Sequence, residues 1–478
     1  MDLKNDKVNG LKLYNTMTRN KELFIPISDI VKIYSCGPTV YSRAHIGNLR
    51  AYIVQDILIR TLKLNNLKIK RVMNITDVGH LTSDADSGED KIELGSKKEN
   101  LSAWDLAEKY TQLFLSDIKK LNILEPDILC KATDHIKEQI NLVNQLKEKG
   151  FTYETEDGIY FDTSKLKDYG KLAKLNIEGL EAGKRIEIKD KKNITDFALW
   201  KFSNEKRQME WEAFGKLGFP GWHIECSAMA MKYLGETLDI HCGGIDHIQV
   251  HHTNEIAQSE SVTNKEFSRF WFHNEFLVMN NGKMAKSEGN IKTLDDLEKL
   301  NFDPLVYRYF CLNTHYRKQL MFSIDALDAS KNALDKLRNK IKIFIQDENK
   351  GKSSKEYEIK FLEAINDDLN IPKALGIMWE MIDNDTIDNK NKLNSLRYFD
   401  KILGLNLDQI KESTKEIVEG IKIIWECETN NQIKKLVIER NEFKKNKDWT
   451  KSDILRDEIS DLGYEVKDRK DYYLIKKN

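Results

Sequence analysis

Val31 to Asn48, VKIYSCGPTVYSRAHIGN, is the stretch on which the reading of this 478-residue chain turns. VKIYSC is a short apolar run that predicts a buried strand, and Gly37 and Pro38 then break it. From Leu49 to Leu62 the apolar residues recur at helical spacing, and LKIKRVMNI, Leu67 to Ile75, predicts the next strand. Strand, helix, strand in this order predicts a parallel α/β unit whose ligands bind at the carboxyl ends of the strands. Cys36 and Thr76 both fall at such ends.

Further along, helices are expected near Ser102–Lys120 and Asp134–Glu148, and Asp157-Gly158 between alternating segments predicts a hairpin. Lys165 to Arg207 reads as polar and weakly periodic. The α/β pattern resumes with a helix near Trp222–Leu234, a strand in LDIHC, a helix starting near His252 and a strand within FWFHNEFLVMN. After about Leu294 the chain reads as helical almost throughout, closing on strand-like YEVKD and YYLIKK. The expected fold class is α/β, with a Rossmann-like parallel-sheet domain at residues 1–124 and 220–280 and an insertion at 125–219. A linking region at 281–346, a helical bundle at 347–405 and a small mixed module at 406–478 complete it.

Lys and Arg number 76 against 77 Asp and Glu, so a polyanionic partner must be met by local basic patches rather than by a global field. The amino terminus, MDLKNDKVNG, lacks the apolar core of a secretion signal, and no run approaches the roughly 18 to 20 apolar residues of a bilayer span. A cytoplasmic protein with no membrane partner is expected. The six cysteines are scattered without a CxxC pair, so any metal site must be assembled by folding from distant segments.

HIGN, His45 to Asn48, follows a strand and opens a helix, where backbone amides and an imidazole can approach a phosphate. KMAKS, Lys283 to Ser287, sits beyond a later strand, and its two ammonium groups can neutralise charge developing on a departing pyrophosphate. Taken singly, the first is also a turn histidine and the second a solvated lysine turn. Together they resemble the HIGH and KMSKS signatures of class I aminoacyl-tRNA synthetases. The segments YSCGPTVYSRAHIGN, MNITDVGH, GWHIECSAMAMKYLGETLDIHCGGIDH and HHTNEIAQSE narrow the resemblance to the cysteinyl-tRNA synthetases. The similarity covers most of the chain and is densest before about Asp295.

His251 and Glu255 are four apart on a predicted helix and share one face, and Cys226 and Cys36 offer two further zinc-type donors. By themselves these residues also read as a surface pair and two small core cysteines. The resemblance assigns all four, Cys36, Cys226, His251 and Glu255, to one zinc ion per subunit, and implies Mg²⁺ with ATP. It implies L-cysteine, ATP and tRNA(Cys) as partners and a monomer. Gly37, Thr39, Thr76 and Trp222 match positions around the bound cysteine. His45, Gly47, Asn48, Gly244, Asp246 and Lys286 match the ATP site, with His45, Asn48, Lys283, Lys286 and Ser287 in catalysis. Gly244 and Asp246 also fit a tight turn with a capping carboxylate. His252, offset by about 100° from His251 around the helix, is expected to be a core residue.

The carboxyl-terminal segment RNEFKKNKDWTKSDILRDEISDLGYEVKD resembles the family's anticodon-binding end, with Arg440, Lys444, Lys445, Trp449 and Arg456 as candidate tRNA contacts; a solvated helical face is the alternative. Asn48 stands where the family has His and Ala285 where it has Ser. Asparagine still donates a hydrogen bond but carries no charge. Three rivals compete: a ligase joining cysteine to an amino sugar, disfavoured by the long helical half; a zinc hydrolase, which leaves HIGN and KMAKS unexplained; and a non-catalytic RNA-binding relative.

Overall fold

The computed structural model describes residues 10–79, 90–175, 191–279, 293–346, 351–410, 414–418, 420–425, 427, 429–469 and 472–477. Lys283, Lys286 and Ser287 lie outside them. The chain divides into two compact units, one of Met1–Asn332, Glu356–Glu380 and Lys401–Leu405, the other of Ala333–Lys355, Met381–Asp400 and Asn406–Asn478.

The first unit opens with a hairpin, β1 (Lys12–Asn15) and β2 (Asn20–Leu23), and continues with the expected β3 (Ile30–Ser35), α1 (Ile46–Leu64) and β4 (Lys68–Ile75). His45 caps α1, and the helix buries residues on most of its circumference, including Leu49, Ile53, Ile57 and Leu62, as a helix enclosed by a core must. Next come α2 (Lys91–Glu99), α3 (Ala103–Lys120) and β5 (Ile128–Lys131), the two helices capped by the side chains of Asp90 and Ser102. α2 had no counterpart in the sequence reading. β5 pairs with β4 at the edge of the parallel sheet, although its residues fall inside the stretch 125–219 that the sequence reading set apart as an insertion. Four residues beside a polar turn carry too little pattern to announce a strand.

α4 (Ile136–Glu148) leads into an antiparallel sheet of β6 (Thr152–Glu154), β7 (Gly158–Phe161), β8 (Phe197–Phe202), β9 (Trp211–Ala213) and β10 (Lys216–Pro220), in the order β6-β7-β8-β10-β9. The Asp157-Gly158 hairpin is present. β8 lies inside the stretch read as polar; all six residues of FALWKF are buried, and a strand covered on both faces shows no alternation to detect. α5 (Ile224–Leu234), β11 (Leu238–Gly244), α6 (His251–Thr263) and β12 (Ser268–Asn274) then complete the parallel sheet, whose order is β12-β11-β3-β4-β5. β11 thus enters beside β3, with Cys242 opposite Ser35.

β13 (Leu277–Met279), α7 (Leu294–Lys299), α8 (Pro304–Leu312) and β14 (Leu320–Phe322) follow; β13 and β14 form a parallel pair, a strand contact the helical reading of this region missed. α9 (Ile324–Ile345), α10 (Lys355–Asn366), α11 (Ile371–Asp383) and α12 (Asn389–Leu403) supply the expected helices. Within the second unit, β15 (Thr414–Val418), β16 (Ile421–Trp425), α13 (Asn431–Lys445), α14 (Trp449–Asp461), β17 (Tyr464–Asp468) and β18 (Tyr473–Lys477) build a sheet of order β15-β16-β18-β17 under two helices. Its core is Ile423, Trp425, Ile433, Val437, Ile459 and Ile475. The two closing strands match the sequence reading, while β15 and β16 are two further strands within residues 406–478 that it did not name.

Candidate functional site

The carboxyl ends of β3, β4 and β11 lie side by side, and the residues that follow them form the floor of a site. The backbone N–H of Gly37 donates to Asn74 Oδ1 at 2.8 Å. A Cβ on Gly37 would sit 1.7 Å from the Asn74 carbonyl oxygen, so only glycine permits this approach. Thr39 and Thr76 form a parallel bridge, with Thr76 N–H donating to Pro38 O at 2.9 Å and Val40 N–H donating to Thr76 O at 3.1 Å. Asn74 Nδ2 donates to Thr76 Oγ1 at 2.9 Å. Gly37, Thr39 and Thr76 are therefore brought together. Trp222, just before α5, stacks on His223 with ring centroids 4.8 Å apart and lies 5.6 Å from the His251 ring.

Behind this floor the side chains of Cys36, Cys226, His251 and Glu255 are all buried and bring one ligand atom each within 4.8 Å of one another. Cys36 Sγ is 3.6 Å from His251 Nε2 and 3.9 Å from Glu255 Oε1, and His251 Nε2 is 2.8 Å from Glu255 Oε1. Two thiols, an imidazole and a carboxylate are a donor set that suits zinc. Burial pushes the Cys36 thiol well above its usual pKa, so a nearby dication is what would make its thiolate stable. Burial would raise Glu255 too, but the imidazoles of His241 and His251 hold it down at about 2. Burial acts to lower His251, and the Glu255 carboxylate overrides it to hold that ring well above the usual value.

Two other overlapping sets share Cys36, one with His247, His251 and His252 and one with His241, His252 and Glu255. Bracing contacts favour the first quartet. His251 Nδ1 meets His223 Nδ1 at 2.6 Å and Glu255 Oε2 meets His241 Nε2 at 2.7 Å, so both the imidazole and the carboxylate have their far atoms held. His252 is fully buried as expected, yet its Nε2 comes within 3.4 Å of Cys36 Sγ while its Nδ1 meets His273 Nε2 at 2.7 Å. Burial first, and then neighbouring imidazoles, lower His252 and His273 well below the ordinary value, and His247 to about 4. Burial therefore disfavours a proton on these three rings.

Sequence reasoning missed His223, His241 and His273, because nothing in their spacing sets them apart from core residues. His223 is held at φ +85°, a left-handed conformation costly for a side chain and concentrated at functional sites. Lys91 was also missed; its ammonium lies 5.6 Å from the Tyr41 ring and 5.5 Å from that of Trp222.

At the start of α1, Asn48 N–H donates to His45 Nδ1 and His45 N–H donates to Asn48 Oδ1, both at 3.2 Å, a reciprocal cap. Asn48 keeps its Nδ2 amide for another acceptor. Burial lowers the His45 imidazole, with Asp246 opposing. Gly47 sits in the same turn, where a Cβ would lie 3.0 Å from the His45 ring. Gly244 ends β11, and a Cβ there would lie 2.3 Å from the carboxylate of Asp246, which is exposed.

In the second unit the five candidate RNA contacts part company. Arg440 is 2% exposed and its guanidinium grips Asp468 through two bonds of 2.8 and 3.0 Å, with Nε donating to Ser452 O. It is an internal strut, which corrects its expected role as an RNA contact. Lys444 is half-buried, 3.1 Å from the same carboxylate. Lys445, Trp449 and Arg456 are exposed.

Among the described residues no helix is long and apolar enough to cross a membrane. Residues 24–332 match the family model described as "tRNA synthetases class I (C) catalytic domain". The chain is 45% identical to cysteine–tRNA ligase 1 of Burkholderia lata over 462 residues, covering 96% of this chain and 95% of that one. It is 44% identical to cysteine–tRNA ligase of Treponema denticola, covering 96% and 98%. A solved structure of methionyl-tRNA synthetase from Mycobacterium tuberculosis, in complex with methionyl-adenylate, superposes with a TM-score of 0.54 over 79% of this chain and 90% of that one. At 13% identity that likeness speaks for the fold alone. With that catalytic domain and relatives so similar along nearly its whole length, the chain belongs to the cysteine–tRNA ligases, within the class I aminoacyl-tRNA synthetases.

Proposed function

We propose that this chain activates L-cysteine with ATP and transfers it to tRNA(Cys), and that Cys36, Cys226, His251 and Glu255 hold a Zn²⁺ that selects the substrate by its thiol. The observation that carries this reading is the convergence of two cysteines, an imidazole and a carboxylate behind Gly37, Thr39, Thr76 and Trp222, with the far atoms of His251 and Glu255 already held. Packing separates near-isosteres such as cysteine and serine by only about 1–3 kcal/mol. When bound, Zn²⁺ supplies a soft contact that a thiolate satisfies better than a hydroxyl.

Activation needs the substrate carboxylate in line with the α-phosphorus of ATP: one P–O bond forms, the bond to the β-phosphate breaks, and pyrophosphate leaves with its Mg²⁺. Gly37, Thr39, Thr76 and Trp222 orient the amino acid. His45 and the Asn48 amide meet the phosphates at the amino terminus of α1, where the backbone of Gly47 allows close approach. Gly244 leaves room for the adenosine and Asp246 accepts its ribose hydroxyls. Lys283 and Lys286, with Ser287, neutralise the leaving group. The terminal ribose of tRNA then attacks the adenylate carbonyl and AMP departs. Lys445, Trp449 and Arg456 are the exposed groups through which the second unit holds the anticodon arm, by phosphate contact and stacking. A cytoplasmic monomer completes the reading.

The test is cysteine-dependent exchange of labelled pyrophosphate into ATP, run against serine, with the zinc content of native protein and Cys226→Ser measured alongside. Exchange with cysteine alone, lost together with zinc in Cys226→Ser, is the expected result. Folded, zinc-loaded protein that gives no exchange with cysteine would overturn the activation chemistry; equal exchange with cysteine and serine would overturn selection through the thiol.

A further inference from the structure

Lys91 opens α2, and its half-buried side chain reaches to the floor of the site: the ammonium lies 5.5 Å from the ring of Trp222 and 5.6 Å from that of Tyr41. Tyr41, just past Thr39 in the chain, is 37% exposed, so the ammonium stands where the floor meets solvent. Aromatic faces attract a cation through their quadrupoles without occupying its three N–H donors. Among the described residues the Lys91 ammonium forms no ion pair and no hydrogen bond.

The helix that carries Lys91 is fastened at several points. Asp90 caps α2, its Oδ1 accepting from Ile92 N–H at 2.7 Å and from Glu93 N–H at 3.0 Å, and its other carboxylate oxygen is paired with Arg207. Gln208 N–H donates to Glu93 Oε1 at 2.9 Å; its side chain donates to Ser96 Oγ at 3.2 Å and accepts from Ala103 N–H, at the start of α3, at 2.8 Å. The Arg207 guanidinium lies 3.7 Å over the ring of Phe219, on the strand that leads to Trp222. A Cβ on Gly95 would lie 3.2 Å from Tyr41 O, so α2 rests directly on the backbone of Tyr41. The root of the Lys91 side chain is thereby held beside the two rings before any ligand arrives.

Gly37, Thr39, Thr76 and Trp222, read as orienting the amino acid, carry no charge, whereas L-cysteine brings a carboxylate that must be presented to ATP with one oxygen free. The Trp222 ring has the His251 imidazole 5.6 Å away and the Lys91 ammonium 5.5 Å away. A ligand with its thiol beside His251 and its carboxylate at Lys91 would lie along that ring. We propose that Lys91 binds the substrate carboxylate, holding one oxygen of L-cysteine and leaving the other for the α-phosphorus. A compact ammonium suits that division, because the planar fork of arginine tends to grip both oxygens at once. The inference rests on the reading of those four residues as the amino-acid pocket and adds to it the group that recognises the acid.

The experiment titrates full-length, zinc-loaded protein by calorimetry with L-cysteine and with cysteamine, which has the thiol and the amine but no carboxylate. Native protein is expected to bind cysteine more tightly by roughly 10- to 150-fold, the worth of one hydrogen bond between charged groups. Lys91→Met is expected to bring cysteine down to the cysteamine level while leaving cysteamine where it was, a result that a merely structural lysine does not give. Lys91→Arg keeps the charge and is expected to restore the preference for cysteine, and Lys91→Gln serves if Lys91→Met does not fold. In pyrophosphate exchange Lys91→Met should raise the KM for cysteine and leave that for ATP unmoved. Equal weakening of both ligands, or native cysteine binding by Lys91→Met, overturns the proposal; so does a rise in the KM for ATP alone, which would put the ammonium on the phosphates. If native protein binds both thiols alike, only the role of Lys91 falls. If it binds neither, the reading of the pocket falls and the role of Lys91 with it.

Discussion

Replacing His241 with Phe isolates a single bond. His241 stacks on Trp271 at 4.7 Å and makes edge contacts with Tyr34 and Phe267, which a phenyl ring keeps. Its Nδ1 has no hydrogen-bond partner among the described residues, so the loss falls on the 2.7 Å contact from Nε2 to Glu255 Oε2. Hydrogen bonds to charged groups are worth about 1.5–3 kcal/mol, which is roughly 10- to 150-fold in a dissociation constant. Outer partners of metal ligands independently lead to roughly 10- to 100-fold. Competition with a chromogenic chelator measures the zinc affinity, and thermal melting confirms that the fold is kept. The three overlapping donor sets predict different results. If the metal sits on Cys36, Cys226, His251 and Glu255, His241→Phe weakens zinc by the amount above and Cys226→Ser removes a ligand. If it sits on Cys36, His241, His252 and Glu255, His241→Phe costs a full ligand, about 2.5–4 kcal/mol as a quarter of a typical structural zinc site, and Cys226→Ser costs little. If it sits on Cys36, His247, His251 and His252, neither variant matters. Native zinc affinity in either variant refutes the first quartet.

Asn48→Ala removes the reciprocal cap of α1 and its amide donor, so the KM for ATP in pyrophosphate exchange should rise about 10-fold, the worth of one net hydrogen bond, with the KM for cysteine unmoved. An equal rise in both would place Asn48 elsewhere than the ATP site. The bonds from Arg440, aided by Lys444 and against the opposing effect of burial, hold Asp468 at about 2, below its unfolded value near 3.9. That stability is present above about pH 4 and lost as the pH falls towards 2; Asp468→Asn should therefore be less stable than the native chain at neutral pH and differ little from it at pH 2, by intrinsic fluorescence or circular dichroism. Lys445→Ala and Arg456→Ala should each lower the slope of log affinity for tRNA against log salt by about 0.7–0.9, whereas Arg440→Met should lower the melting temperature of its unit and leave the slope unchanged.

The parallel unit was legible because β3, α1 and β4 announce themselves by apolar runs and helical spacing between Gly and Pro breaks. The short strand β5 and the buried strand β8 were not, because four residues carry little pattern and a strand covered on both faces does not alternate. For the site, chemistry spoke for Cys36, Cys226, His251 and Glu255 in part, through the i, i+4 pair on one helix face, and the family resemblance supplied the rest. The braces His223, His241 and His273 come from positions whose proximity exists only after folding. Arg440 shows the converse failure: a basic residue in a charged helix looked available to RNA, yet its guanidinium closes on Asp468, a partner 28 residues away that composition does not reveal.

Cys36 and His251 stand 215 residues apart, and what brings them together is the entry of β11 beside β3. While the chain is being synthesised, β3, β4 and β5 can assemble early, but the far edge of β3 stays open until β11 emerges, after the intervening antiparallel sheet. An open edge invites wrong pairing, and distant parallel pairing is slow. The donor cluster is therefore an indicator that β11 and the start of α6 have been made: a polypeptide stopped anywhere before Glu255 lacks the full proposed ligand set, and zinc capture would distinguish a sheet that has received β11 from one still waiting for it.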